Sequence, residues 1–171
     1  MRQNTLPFAY VAQNRFHGVR VCEMDDAERR SVLDLAFEVL AELHRPGQSL
    51  GSPNDTRRFL QLHLADRKAE VFGAVFLDTR NRVINIEELF HGTIDGASVH
   101  PRVVVQRALE VNAAAAIIFH NHPSGEPEPS RADRALTRRL RDALSLVDVR
   151  VLDHIVVGAE GTVSFAERGF L

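Results

Sequence analysis

The chain has 171 residues, 44% of them hydrophobic and 26% charged, with a formal net charge of −2. That length suits one domain with a short appendage and buries a sizeable core unaided, and the composition argues against disorder. The single cysteine, Cys22, excludes an intramolecular disulfide, and the slight negative charge excludes a global attraction to nucleic acid.

No charged-then-apolar leader opens these residues, and no apolar run approaches the roughly 18 residues that a membrane span needs, so a cytoplasmic protein is expected. Residues 1–24 show no sustained period and read as an arm. From Asp25 or Asp26, a natural N-cap, AERRSVLDLAFEVLAELH is amphipathic at the helical period, with Val32, Leu35, Ala36, Val39, Leu40 and Leu43 as its apolar stripe. Arg45-Pro46-Gly47 stops it. Ser52-Pro53 starts a second helix to about Ala65, with proline at the first helical position and Asp55 in the first turn.

VFGAVFLD (71–78) and VINIEELF (83–90) then read as a hairpin across the polar turn TRNR. After a Gly-containing loop, Pro101 starts a third helix through RVVVQRALEVN. AAAAIIFH (113–120) reads as a buried strand, because Ile-Ile-Phe and the abrupt His-Asn-His-Pro outweigh the helical preference of its alanines. Ser130 to about Leu146 is a helix. VRVLDHIVVG (149–158) and TVSFAE (162–167) close the chain as a strand pair. Strands and helices mix without strict alternation, so the expected class is α+β, a mixed sheet flanked by helices. The organisation expected is an N-terminal arm and helix over 1–48 and a domain over 49–171.

The stretch FHNHPSGEPEPSRAD (119–133) is where chemistry concentrates. His120 and His122 are two residues apart on an extended chain, which puts both imidazoles on one side. Asp133, ten intervening residues later, falls in the first turn of the helix that Ser130 begins. Two histidines and one aspartate, with no adjacent fourth ligand, is the pattern of a catalytic zinc site whose remaining position holds water. The alternative is structural: Ser130-x-x-Asp133 is also a helix capping arrangement, with Asp where Glu or Gln is usual, and the histidines could hydrogen-bond loop backbone. The two readings are compatible.

These residues resemble the zinc signature of the JAMM (MPN/JAB) metallopeptidases. More closely, HNHPSGEPEPSRAD, the upstream VHPRVVVQRALEVNAAAAIIFH and the terminal VRVLDHIVVG…SFAERGFL resemble the RadC family, over roughly residues 50–171. The resemblance implies a JAMM/MPN-like fold with a mixed central sheet flanked by helices in a cytidine-deaminase-like arrangement. It implies one Zn2+ at His120, His122 and Asp133 with water as the fourth ligand, and Ser130 beside that water. It also implies an upstream glutamate as general base, often in a Glu-x-x-Gly context. Glu70-Val-Phe-Gly73 matches that context, and Glu87 or Glu88 are next in line.

The expected function is therefore metal-assisted hydrolysis of a peptide or isopeptide bond, presented as an extended segment of a protein substrate. A DNA-repair-associated accessory protein with a structural metal is the rival reading, in which Arg131, Arg134, Arg138 and Arg141, at helical spacing, contact phosphate; the plainer view of that stripe is a solvated face. A nuclease is discounted, since the residues of HNH endonucleases come from separate parts of a ββα motif. His154, in VLDHIVV, reads as a hydrogen-bonded core histidine, and His91 as a residue that could line the groove. His17, His44, His63 and His100 read as surface or capping residues, and Cys22 as a small apolar filler. A homo-oligomer is compatible with all of this.

Overall fold

The computed structural model describes residues 19–50, 52–92 and 99–171. Most of the expected arm, His17 and most of the Gly-containing loop before Pro101 lie outside the described residues. After a short 3-10 turn at Val21–Glu23, α1 (Asp26–Leu43) begins at Asp25, whose carboxylate accepts from the amides of Ala27 and Glu28 in a full capping box. α2 (Pro53–Leu64) starts at Ser52 with proline in its first turn. The hairpin strands are β1 (Val71–Leu77) and β2 (Val83–His91), joined through Asp78, whose carboxylate accepts from the amides of Arg80 and Arg82.

α3 (Pro101–Glu110) ends sooner than the sequence predicts, because Asn112 takes a left-handed conformation (φ 55°) that turns the chain into β3 (Ala115–Asn121). α4 (Arg131–Ser145) then leads to β4 (Arg150–Gly158) and β5 (Gly161–Ser164). The last strand is shorter than expected. Asp153 stops it by accepting from the Ser164 hydroxyl (2.6 Å) and the Ala166 amide (2.9 Å).

The five strands form one mixed sheet in the order β2-β1-β3-β4-β5, so the fold is α+β as the alternation pattern predicts. β1 pairs antiparallel with both β2 and β3, while β3 and β4 are parallel and joined through α4. Side chains alternate across the sheet. One face carries Val71, Val75, Leu77, Ile117, Phe119, Ile155 and Val157 against Phe59, Leu60 and Leu64 of α2. The other carries Phe72, Ala74, Phe76, Ala116 and Ile118 against Val104 and Ala108 of α3 and Leu140 and Leu144 of α4. The even-numbered β3 residues face α3 and α4, which sends His120 to that side.

α1 departs from expectation. Val32, Leu35, Val39 and Leu43 are exposed (41–57%), and the residues that reach the core are Phe37, Leu40 and Ala41. α1 packs chiefly on α2, so only one edge of its wide apolar stripe finds a surface, with Phe37 stacked 5.7 Å from Phe59.

Candidate metal centre

His120 is the penultimate residue of β3 and is almost completely buried, at 1% exposure. His122 follows the strand, with its amide hydrogen-bonded to the Val157 carbonyl of β4 (2.8 Å). Asp133 is at the third position of α4. Its carboxylate accepts from the Ser130 amide (2.7 Å), and its own amide donates to Ser130 Oγ (3.1 Å). The capping box and the candidate ligand set are thus one arrangement, and the cap holds the carboxylate still.

Among the described residues, His120, His122 and Asp133 converge, with one ligand atom from each all lying within 4.8 Å of one another. The Nε2 atoms are 3.0 Å apart, and Asp133 oxygens lie 3.7 Å from His120 Nε2 and 3.6 Å from His122 Nε2. A tetrahedral ion with bonds of about 2.0–2.1 Å has ligand-to-ligand edges of roughly 3.3 Å, so the triangle fits one. The donor chemistry fits as well. His122 Nδ1 lies 2.8 Å from the Glu126 carbonyl, which can only accept, so the ring proton is on Nδ1 and Nε2 offers a lone pair.

The electrostatics follow from burial and neighbours. Burial pushes His120 down to about 4, against the opposing pull of the Asp133 carboxylate. His122 is raised, chiefly by its hydrogen bond with Asp133, with help from the Glu126 carbonyl and from the charges of Asp133 and Glu70. Burial opposes ionisation of Asp133, but hydrogen bonds from His122 and Ser130 and the proximity of His120 outweigh it and hold the carboxyl well below its ordinary range. A carboxylate that draws a proton to His122 Nε2 draws a cation to the same point.

Glu70 stands immediately before β1, half-buried, and its carbonyl accepts from the Gly92 amide (2.7 Å). β1 pairs Phe72 with His120, and continuing that antiparallel register by two places sets Glu70 across from His122. Asn121, buried between the two histidines, accepts from the Val71 amide (2.7 Å) and donates to the Ala69 carbonyl (3.1 Å), fixing the peptides on both sides of Glu70. The other glutamates are engaged elsewhere. Glu87 is held by Arg107 of α3 through two contacts of 2.5 and 2.6 Å. Glu88 is held by His63 (3.1 Å) and Arg67 (2.7 Å) on the α2 side of the sheet, the face away from His120.

The remaining expectations divide. His154 is a fully buried, hydrogen-bonded histidine as predicted, but its partners are His120 (Nδ1 to Nε2, 2.8 Å) and Thr137 (2.7 Å), a connection that local sequence does not show. His44 is the C-cap residue of α1, the capping role expected, but is buried there, bonded to the Leu40 carbonyl and Thr56; His63 is half-buried in the last turn of α2, stacks on Phe59 and is lowered, first by burial. His100 precedes α3 without a side-chain cap, His91 is exposed at the end of β2, and Cys22 is exposed and fills no core. The arginine stripe is uneven: Arg131 and Arg138 are exposed, whereas Arg134 lies over the Phe170 ring (4.1 Å) and near Glu128 (3.6 Å), and Arg141 is 3.6 Å from Asp142.

A groove of about 270 Å³ on the α2 side, lined by Gln61, Arg67, His122, Pro123 and Gly158 among others, touches His122 and neither His120 nor Asp133. A larger hollow of about 720 Å³ between α1 and α2 touches none of the three converging residues. No described helix is long and apolar enough to cross a membrane.

A mixed sheet that delivers His-x-His from a strand end and Asp from the next helix start is the layout of a JAB-type domain, with a side-chain cluster compatible with a metal. The RadC-like JAB domain profile matches residues 50–170, and the chain belongs to the RadC family. It is 63% identical over 145 residues to UPF0758 protein Tgr7_0100 of Thioalkalivibrio sulfidiphilus, and 58% identical to a UPF0758 protein of Halorhodospira halophila. Each match covers 85% of this chain and 65% of the relative. A UPF0758 protein of Vibrio cholerae is 53% identical over a stretch covering 91% of its own length.

Proposed function

We propose that the chain is a zinc-dependent hydrolase of the JAMM type, cleaving a peptide or isopeptide bond. The observation that carries this reading is the convergence of the His120 and His122 imidazoles with the capped Asp133 carboxylate. His120, His122 and Asp133 would hold the ion, which supplies Lewis acidity and makes water acidic enough to ionise near neutral pH.

The chain's own residues do the rest. Glu70 takes the proton of the attacking water and returns it to the leaving amine. Asn121 keeps the Glu70 backbone in register with the His-Asn-His segment, so the base does not drift. Ser130 Oγ accepts from the Asp133 amide, and its hydroxyl, which helps hold the Asp133 carboxylate ionised, would turn to donate to an oxyanion developing on the substrate carbonyl. An extended substrate segment would enter along the groove beside His122, Pro123 and Gly158.

The test uses purified protein loaded with one equivalent of zinc and a mixed library of peptides and isopeptide-linked peptides, with new amino termini read by mass spectrometry. The wild-type protein generates new termini. E70Q retains its zinc by elemental analysis and loses about two to four orders of magnitude in rate, while H122A loses both metal and activity. Full activity in E70Q removes the assigned base, and absence of stoichiometric zinc removes the mechanism.

A further inference from the structure

Behind His120 runs a chain of hydrogen bonds whose direction is forced by its last member. The Thr137 hydroxyl oxygen lies 2.6 Å from the main-chain carbonyl of Asp133. A carbonyl only accepts, so at that distance the hydroxyl hydrogen is donated to it. His154 Nδ1 lies 2.7 Å from the same hydroxyl oxygen, whose only hydrogen is already committed, so Nδ1 carries the proton and donates. His154 is fully buried, stacked on Phe165 and edge-on to Phe72, surroundings that favour a neutral ring. Its Nε2 is then an acceptor, and the atom 2.8 Å from it, His120 Nδ1, is the donor. With its proton on Nδ1, His120 presents a lone pair on Nε2, the nitrogen that faces His122 and Asp133.

We infer that His154 and Thr137 are positioning residues that fix His120 in the metal-binding tautomer and ring orientation. The relay starts at one member of the cluster and ends on the carbonyl of another, so the same four groups tie the β3 end to the first turn of α4. In the reverse order of donors, His154 Nε2 would carry the proton and donate to His120 Nδ1. His120 would then carry its proton on Nε2 and offer no ligand. The usual partner behind a ligating histidine is a carboxylate, a main-chain carbonyl or water. Here it is a second imidazole, whose own tautomer must be set in turn, and Thr137 sets it.

This inference rests on the reading of His120, His122 and Asp133 as a metal site, and the experiment separates the two. Imidazole ¹H–¹⁵N spectra of the metal-free wild-type protein at neutral pH assign the tautomers of His120 and His154. Both carry hydrogen on Nδ1 if the relay is as inferred; hydrogen on Nε2 of either ring overturns it. Zinc competition titrations then compare T137V and H154L with T137S and H154Q, which keep an acceptor at the critical place. The first pair loses about ten- to a hundredfold in zinc affinity, and the second stays within a few-fold of wild type. Wild-type zinc affinity in both T137V and H154L overturns the relay. If the wild-type protein binds no zinc, the metal reading fails, and the tautomers of the metal-free protein decide the relay alone. T137V, which preserves volume, serves if H154L does not fold.

Discussion

At the scale of single residues, the cluster and its neighbour His154 hold two neutral imidazoles where water cannot solvate their charge. Burial brings His120 down to about 4 and His154 well below its ordinary value, whereas in the unfolded chain both titrate near 6.5. Between those limits the unfolded state takes up protons that the folded state refuses, so the metal-free protein loses stability as pH falls from about 6.5 to 4. His120 alone accounts for roughly 3 kcal/mol over that window. His122 acts in the opposite sense: its raised value contributes stability that is complete below about 6.5 and fades as pH rises through its folded value. Calorimetry of the metal-free protein should show a melting temperature that drops across pH 6.5 to 4, with a shallower drop in H120L. A flat profile contradicts the buried neutral pair. His120, His122 and Asp133 were legible because their spacing alone puts them on a strand end and the next helix turn. His154 was not, because it reaches His120 only through the parallel pairing of β3 with β4, which sets it beside Ile118. Nor was the burial of His44, or the half-burial of His63, which depends on Phe37 and Phe59 closing over them.

At the scale of elements, the existence and order of the strands and the two helix starts at Ser52 and Ser130 followed from caps, prolines and Val- and Phe-rich runs, whereas the ends of α3 and of the last strand did not. The packing of α1 did not, because an apolar stripe says that a face seeks burial and not how much surface is offered to it. Close approaches between elements are equally silent in a sequence, and two glycines record them. A Cβ at Gly73 of β1 would stand 2.3 Å from the Glu87 carbonyl and from the Phe119 ring, and one at Gly158 of β4 would stand 2.2 Å from the Gly125 carbonyl and 2.8 Å from Pro127 N. The second matters for the site, because the 125–127 segment carries the Glu126 carbonyl that orients His122. G158A must push that segment outward. Its expected signature is a zinc affinity lowered about tenfold, comparable to loss of an outer hydrogen bond to a ligating histidine, with a thermal shift much smaller than that of G73A, whose clash lies in the sheet. Unchanged zinc affinity in G158A shows that the loop carbonyl does not orient His122.

At the scale of the whole molecule, the three converging residues come from two elements that are joined by a loop and separated in the fold. His120 lies at the end of β3, which is central in the sheet, and His122 just follows it, while Asp133 lies in the first turn of α4, which packs across the sheet face through Leu140 and Leu144. An ion held by all three therefore clips the helix that makes the parallel crossover onto the strand it leaves, and it does so only in the folded chain. Binding to the folded state alone stabilises by mass action: at free zinc one hundred times Kd, the gain is about 2.7 kcal/mol. For a domain of this size each kcal/mol raises the melting temperature by about 2–4 °C, so saturation with zinc should raise it by about 5–11 °C, and a chelator should reverse the rise. D133N, which keeps a capping side chain but removes the charge that His122 and Ser130 stabilise, should fold, melt below the metal-free wild type and show little response to zinc. Differential scanning calorimetry with and without zinc measures all of this on one protein preparation. The rise need not track catalysis, and E70Q makes the separation: it should gain as much from zinc as the wild type while its rate falls by about two to four orders of magnitude. A wild-type melt that zinc leaves unmoved means that the converging triangle does not bind the ion. A rise that D133N shares in full means that the ion sits elsewhere.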